Sequence, residues 1–375
     1  MKNKKFFYAL ATFVGTVIGV GLFGIPFVGA QAGFSVLLFY LLILGVVVVC
    51  INLFFAEVSV FTKGLHRLPG YVEAHFGINA RRFSSIVHIT SLLASLLAYL
   101  IIGGQFLASF FNGSVYLYTF IFFVLGALLI WRGQGSVGPI ELVLLVILLA
   151  VVLFLFFAGF GKISAENFSG IDWKSFFLPY GVVLFSLWGT SIIPEVKEIL
   201  GNDLKKLRKV LIIGIIICLV VYILFSLVVI GISGHQTTNE AIAGLQGKLG
   251  HWVLLLGYAF GIITTFTSFI ALGLTVKKVF WYDLHLPKGI SWLLASFIPL
   301  FFYIIGLQNF IKIISLTGAV MLGIDGILIT LMFLKIIKER KSQKLVHFRL
   351  LSLAILTLLS FGVVLEIVFF FKNNL

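Results

Sequence analysis

Two apolar segments of the chain combine glycine with proline in a way that weakens a helix. Residues 15–26 and residues 185–195 each carry glycine near the middle and a proline a few positions later. Glycine adds backbone freedom, and proline removes an N–H donor and clashes with the preceding turn. Unwinding inside a membrane leaves N–H and C=O groups that lipid cannot satisfy, so these groups must line a polar cavity. Because helix N-termini suit a carboxylate and free carbonyls suit an ammonium group or a cation, the segments predict an amino-acid site.

The two segments lie in the first and the sixth predicted membrane spans. A separation of five spans turns the second segment over in the membrane, as in a 5+5 inverted repeat, and broken helices at matching positions indicate a transporter's binding site. The alternative is that the glycines only allow close packing of continuous helices. Residues 19–24 also match G-x-G-x-x-G, but the flanks are membrane helix and the next acid is Glu57, which excludes a dinucleotide site.

The composition is that of a membrane protein with many spans. Of 375 residues, 61% are hydrophobic and only 11% are charged, against about 25% charged in a soluble domain. This excludes a cytosolic enzyme, a secreted disulfide scaffold and a disordered tail. We predict an all-α fold with eleven spans, since a span needs about 20 apolar residues. They cover about 6–31, 33–62, 83–111, 115–131, 138–160, 173–200, 209–233, 251–280, 289–306, 309–337 and 347–371.

The eleven spans divide into two repeats and an extra helix, and the basic residues orient them. Residues 1–160 form the first inverted repeat, residues 161–338 the second, and residues 339–375 the eleventh span with the C-terminus. With the N-terminus in the cytoplasm, 22 of the 27 Lys and Arg residues fall on the inner side. This positive-inside distribution places the C-terminus outside. It also explains the net charge of +14 without nucleic-acid binding, so the lipid bilayer is the expected partner.

Three stretches resemble the amino acid/polyamine/organocation superfamily, which has the LeuT fold. Residues 15–26 resemble its first helix, residues 264–273 resemble the eighth helix of the hydroxy/aromatic amino-acid permease branch, and residues 189–195 are similar to the sixth helix of that branch and of the auxin/amino-acid permeases. The resemblance implies alternating access, in which helices 1, 2, 6 and 7 rock against helices 3, 4, 8 and 9.

The resemblance also implies roles for individual groups. Backbone N–H groups would hold the substrate carboxylate, and carbonyls would hold its ammonium group. Span 3 supplies polar side chains, and a tryptophan lines or gates the pocket. The N–H groups are those around Gly19, Val20 and Gly21, and the carbonyls are those of Ile18, Ser186, Leu187 and Trp188, with Gly189 beside them. The polar side chains of span 3 are Ser95 and Tyr99, and the tryptophan is Trp188. For Tyr99 and Trp188 the alternative is ordinary packing with a satisfied polar tip.

Three hydroxyl side chains in span 8 suggest a driving ion. Thr264, Thr267 and Ser268 fall on one helix face at mid-membrane depth. Each could instead bond its own i−4 carbonyl. In the resembled fold, this position and the carbonyls corresponding to Gly15 and Ile18 form a sodium site, and such oxygen ligands suit a hard cation.

The resemblance implies a single sodium ion, with proton coupling as the alternative. Leu22 stands where some relatives use an amide for a second sodium, and span 5 lacks the lysine of some proton-driven relatives. Asp325, between Gly323 and Gly326 in span 10, is a candidate for proton transfer or gating because intramembrane acids are commonly functional.

The predicted function is therefore transport, with no catalytic residues and no cofactor apart from the coupling ion. The pocket has no charged side chain, which favours a neutral amino acid, aromatic or large. A membrane-embedded enzyme would need clustered acids or metal ligands, and the chain has no H-E-x-x-H motif. The alternatives left open are a proton-coupled symporter, a non-transporting sensor and such an enzyme. The sequence leaves the oligomeric state open.

Overall fold

The computed structural model describes residues 2–64, 66–133, 138–340 and 348–372, and within these ranges the regular structure is helical. The helices are α1 (Lys2–Val17), α2 (Gly21–Ala32), α3 (Phe34–Phe61), α4 (Leu68–Phe76), α5 (Ile78–Phe111), α6 (Val115–Arg132), α7 (Gly138–Gly159), α8 (Leu178–Leu187), α9 (Ile193–Leu200), α10 (Leu204–Ser233), α11 (His251–Lys278), α12 (Lys288–Ile304), α13 (Phe310–Leu316), α14 (Gly323–Arg340) and α15 (Phe348–Lys372). A π-helical stretch, Thr317–Leu322, joins α13 to α14.

The described helices agree with the all-α membrane fold predicted from the sequence. Eight are long and apolar enough to cross a membrane, and α1 with α2 makes a ninth span bent by 50°. The other two predicted spans correspond to the pair α8 and α9 and to the 17-residue helix α12. This architecture is compatible with eleven spans.

Local sequence signals explain several helix ends. Helix α8 begins at Leu178 rather than near residue 173. Pro179 lies in its first turn, where backbone N–H groups have no acceptor within the helix, so the N–H that proline lacks is not needed. The side chain of Asp203 caps α10 by accepting from the Lys206 backbone N–H. The connection between α3 and α5 contains the short helix α4, which was not predicted from the sequence.

The broken helices lie in the centre of the molecule. Helix α10 packs against α1, α2 and α3, and α2 packs against α8. Helix α5 packs against α6 and α11 on the other side and also contacts α14. The long helices α5 and α10 therefore pack around the broken ones.

Candidate functional site

The first break separates α1 from α2 at residues 18–20. Helix α1 ends at Val17, and the Gly19 N–H donates to the Val17 carbonyl at 2.9 Å instead of continuing the helical pattern. The Leu22 N–H then donates to the Gly19 carbonyl at 3.2 Å as α2 begins. Every residue of the break is buried. The main chain is thus unwound where the glycines predict it, away from solvent.

The second break separates α8 from α9 at Trp188 and Gly189. Helix α8 ends at Leu187, and a single 3-10 turn, Thr190–Ile192, precedes α9. Trp188 is 9% exposed. Pro194 lies in the first turn of α9, so this proline starts the second half-helix rather than kinking a continuous one. The predicted pair of broken helices, in spans 1 and 6, is confirmed.

The two breaks touch each other through their main chains. A Cβ built at Gly21 would lie 2.9 Å from Cα of Ser186, and one built at Gly189 would lie 2.7 Å from side-chain atoms of Phe13 and Val17. Only glycine permits such an approach. The structure therefore brings Gly21 at the first break against Ser186 of α8, and Gly189 at the second break against Phe13 and Val17 of α1.

A tyrosine that the sequence analysis did not single out joins the breaks. The Tyr222 hydroxyl on α10 lies 3.0 Å from the Val17 carbonyl oxygen and 2.6 Å from that of Ser186. Its side chain is 0% exposed. The available signal was the presence of one polar aromatic residue within an otherwise apolar run.

Tyr99 approaches the first break from the opposite side, on α5. Its hydroxyl interacts with the Val20 backbone and with the Ser268 side chain, and a side chain at Gly19 would overlap this hydroxyl. The Ser95 hydroxyl, one turn away, donates to the Ser91 carbonyl at 2.8 Å. Tyr99 therefore lies beside the backbone at Gly19 and Val20.

An aromatic cluster adjoins the first break. Phe23 of α2 makes edge-to-face contacts with Phe106 of α5 and Phe225 of α10, with ring centroids 4.7 Å and 6.1 Å apart. Tyr258 of α11 lies 6.2 Å from Phe106. Because aromatic rings pack favourably edge to face, this aromatic cluster offers suitable chemistry for an aromatic side chain.

The groups predicted to bind sodium lie in different surroundings. Among the described residues, no hydrogen bond ends on the Ile18 carbonyl, so this oxygen is available to a cation. Ser268 lies against Tyr99. The Thr267 hydroxyl is exposed and bonds the Ile263 and Thr264 carbonyls at 2.9 and 3.2 Å. A Cβ at Gly15 would meet no atom within 4 Å.

Asp325 has a partner that the sequence analysis did not predict. His88 Nδ1 of α5 lies 3.2 Å from Asp325 Oδ2 of α14, and both side chains are buried. The other carboxylate oxygen, Oδ1, has no hydrogen-bond partner among the described residues. A Cβ at the adjacent Gly326 would lie 3.1 Å from the Trp188 ring, so this pair adjoins the second break.

A comparison with known protein families decides the identity. Residues 2–369 match the tryptophan/tyrosine permease family. The chain belongs to this family. The predictions of an amino-acid permease, a multi-pass membrane protein and not an enzyme are confirmed at this level.

Two relatives of this permease come from Haemophilus influenzae. Its tyrosine-specific transport system 2 is 26% identical over 344 residues, which cover 85% of this chain and 84% of the relative. Its tyrosine-specific transport system 1 is 27% identical over 333 residues, covering 81% of each.

Solved structures show that the permease has the predicted LeuT fold. A manganese transporter of Eremococcus coleocola matches with a TM-score of 0.69 and 15% identity, over 99% of this chain and 88% of that one. Mhp1, a nucleobase-cation-symport-1 family transporter, matches with 0.66 and 12%, over 87% and 77%. MhsT, solved with L-phenylalanine, matches with 0.62 and 13%, over 96% and 97%. At these identities the likeness concerns the fold alone.

Proposed function

We propose that this permease carries tyrosine or tryptophan across the cytoplasmic membrane by alternating access, with its N-terminus inside and its C-terminus outside. The observation that carries the proposal is the pair of touching helix breaks, which offers N–H groups and carbonyls together. The carboxylate would bind the N–H groups at Gly19, Val20 and Gly21, with Tyr99 beside them. The ammonium group would bind carbonyls at the ends of α1 and α8. Family membership and the names of both relatives support an aromatic substrate.

The aromatic cluster supports a ring-bearing substrate over a charged one. Phe23, Phe106 and Phe225 can pack against an aromatic ring once the site opens. The side chains described at the two breaks carry no charge that could pair with a lysine, arginine or acidic substrate. An uncompensated buried charge would be costly there.

We propose that one sodium ion drives the cycle, bound by the carbonyls of Gly15 and Ile18 and by helix α11 at Thr264, Thr267 and Ser268. Support comes from the Ile18 carbonyl, which accepts no hydrogen bond among the described residues. A carbonyl at a helix break is a good ligand for a hard cation. The ion would link the first break to α11, which is the eighth span and belongs to the group of helices against which the broken helices would rock.

Proton coupling is the second candidate, because His88 and Asp325 form a buried pair beside Trp188. With one shared proton the pair is neutral overall, whereas its loss leaves a buried negative charge that is costly in a low dielectric. The pair would release its proton only when water reaches it. Other acids on helices that pack against α14 have their own partners: Glu57 pairs with Arg208, Glu73 pairs with Arg81, and Glu366 accepts from Ser315.

Uptake of labelled amino acids into proteoliposomes tests these proposals. We expect uphill uptake of tyrosine or tryptophan, driven by an imposed sodium gradient or, for the second candidate, by a proton gradient. Saturable binding without flux would indicate a sensor. Absence of both binding and uptake of any aromatic amino acid would contradict the proposed function.

A further inference from the structure

The Tyr222 hydroxyl occupies a position suited to an ammonium group. It lies within hydrogen-bond distance of carbonyl oxygens from both half-helices, those of Val17 and Ser186. These carbonyls belong to the last turns of α1 and α8, where an intrahelical donor is missing. Tyr222 is thus the link between three helices, α1, α8 and α10.

One hydroxyl cannot fully satisfy both carbonyls. A phenolic hydroxyl donates a single hydrogen, whereas an ammonium group donates three. The Val17 carbonyl also accepts the Gly19 N–H at 2.9 Å, but the Ser186 carbonyl has Tyr222 as its donor at 2.6 Å. The two carbonyl oxygens can therefore accept more hydrogen bonds than the Tyr222 hydroxyl donates, and an ammonium group can supply them.

The breaks leave little space for a substrate in this closed arrangement. Gly21 packs against the Ser186 backbone, and Tyr99 fills the space above Gly19. Residues from Val17 to Gly24 are buried. A substrate amine can reach the carbonyls only if the breaks separate and the tyrosine hydroxyl gives up its place.

We propose that Tyr222 is a lock on the empty site: its hydroxyl holds α1 and α8 together by bonding the carbonyls that the substrate ammonium later takes. The inference rests on the proposed function, since it needs a substrate with an amino group. Tyr222 is a positioning residue of the empty state and competes with the substrate. Replacement of one donor by three then favours the open, loaded site over the closed, empty one.

The Tyr222→Phe variant tests the lock through two readouts: the stability of the empty protein, which should fall, and its affinity for substrate, which should rise. Removing the hydroxyl leaves the buried Ser186 carbonyl without a donor among the described residues and leaves the Val17 carbonyl with the Gly19 N–H alone, so we expect a lower Tm without ligand. Because the substrate no longer displaces an internal bond, we expect the Kd for L-tyrosine to fall about two- to tenfold. A residue with only a structural role would lower Tm without tightening binding.

Tyr180→Phe is the matched control. Tyr180 is buried like Tyr222 and lies on the half-helix α8, but its hydroxyl has no hydrogen-bond partner among the described residues. We expect its Tm and Kd to match the wild type. An unchanged or higher Kd for Tyr222→Phe overturns the lock. Failure of the wild type to bind any aromatic amino acid overturns the proposed function, and the lock with it.

A structure of the wild-type protein with L-tyrosine tests the lock without a variant. We expect the ammonium nitrogen within about 3.2 Å of the Val17 and Ser186 carbonyl oxygens, with the Tyr222 hydroxyl moved out of reach of at least one. Retention of both tyrosine bonds in the loaded site would overturn the proposal.

Discussion

Asp325 Oδ2 lies 3.2 Å from His88 Nδ1, and this pair joins α14 to α5 although the two residues are 237 positions apart in the sequence. It places a titratable group in the core, one residue from the glycine that packs against Trp188. Protonation of the pair is therefore well placed to affect the second break.

Asp325→Asn should abolish proton-driven accumulation if the pair carries the coupling proton. For one proton per substrate, a gradient of one pH unit supports about tenfold accumulation in the wild type, and the variant should show none. It should still exchange labelled for unlabelled substrate, because asparagine keeps the shape of the site. Glu366→Gln, which alters the buried acid bonded to Ser315, should retain the pH response. Equal accumulation by Asp325→Asn and wild type would rule out this role.

The contact between the breaks predicts a graded response to alanine. Gly21→Ala places a methyl group 2.9 Å from the Ser186 Cα, and backbone cannot yield easily. We expect it to lower the free energy of unfolding by about 1–3 kcal/mol and to abolish uptake. The methyl group of Gly19→Ala would overlap the Tyr99 hydroxyl. Adding Tyr99→Phe removes this hydroxyl, so the double variant should regain part of the Tm that Gly19→Ala loses. Gly289→Ala in α12, with no atom within 4 Å of the added Cβ, should behave as wild type. Normal uptake by Gly21→Ala would show that the breaks need not touch.

Removing a hydroxyl from α11 should weaken sodium activation. We expect Thr267→Ala to raise the sodium concentration for half-maximal uptake by about tenfold, the effect of losing about 1.4 kcal/mol of ion binding. Thr275→Ala is the control, since Thr275 lies farther along α11 and bonds the Ala271 carbonyl in the same way. The same sodium dependence in both variants would exclude Thr267 as a ligand.

Lys277 should stabilise the end of α6. Its buried Nζ donates to the Ile130 and Trp131 carbonyls at 2.8 and 3.0 Å. Lys277→Met leaves these carbonyls without that donor, and we expect a loss of about 1.5–3 kcal/mol of stability, as for a hydrogen bond from a charged group. Thermal unfolding in detergent measures it. The exposed Lys209→Met should change little, and equal Tm values for the two variants would contradict the capping role.

Glu240, in the loop between α10 and α11, should make stability depend on pH. Burial raises the pKa of the Glu240 carboxyl above its ordinary value of 4.5. The folded state therefore binds this proton more tightly than the unfolded state, so the contribution is present at low pH and is lost as pH rises through the raised pKa. Glu240→Gln should flatten the fall in Tm above pH 4.5, whereas the exposed Glu166→Gln should leave it unchanged. A Tm profile unaffected by Glu240→Gln would contradict this origin.

The sequence predicted the features that depend on local chemistry. Glycine and proline weaken a helix wherever they stand, so both breaks could be located before the fold was known. The shared helix face of Thr264, Thr267 and Ser268 on α11 likewise follows from helical spacing, whereas Ser95 and Tyr99 on α5 were expected from the family resemblance. The spans themselves follow from runs of apolar residues.

The remaining features depend on tertiary packing. Nothing near Tyr222 in the sequence indicates that its hydroxyl reaches Val17, 205 positions away. Asp325 could be suspected as an intramembrane acid, but nothing in the sequence pairs it with His88, 237 positions away. Which polar side chains meet is decided by how the helices pack, and a single sequence carries little information about that.

The central claim is that the two breaks form a site for an aromatic amino acid. The most direct measurement is the Tm of the purified wild-type protein with each of the twenty amino acids, with and without sodium. Because a ligand that binds the folded state stabilises it by about 2.7 kcal/mol at 100 times its Kd, tyrosine or tryptophan should raise Tm and charged amino acids should not. A Tm that no aromatic amino acid raises, or that lysine and glutamate raise equally, would contradict the account.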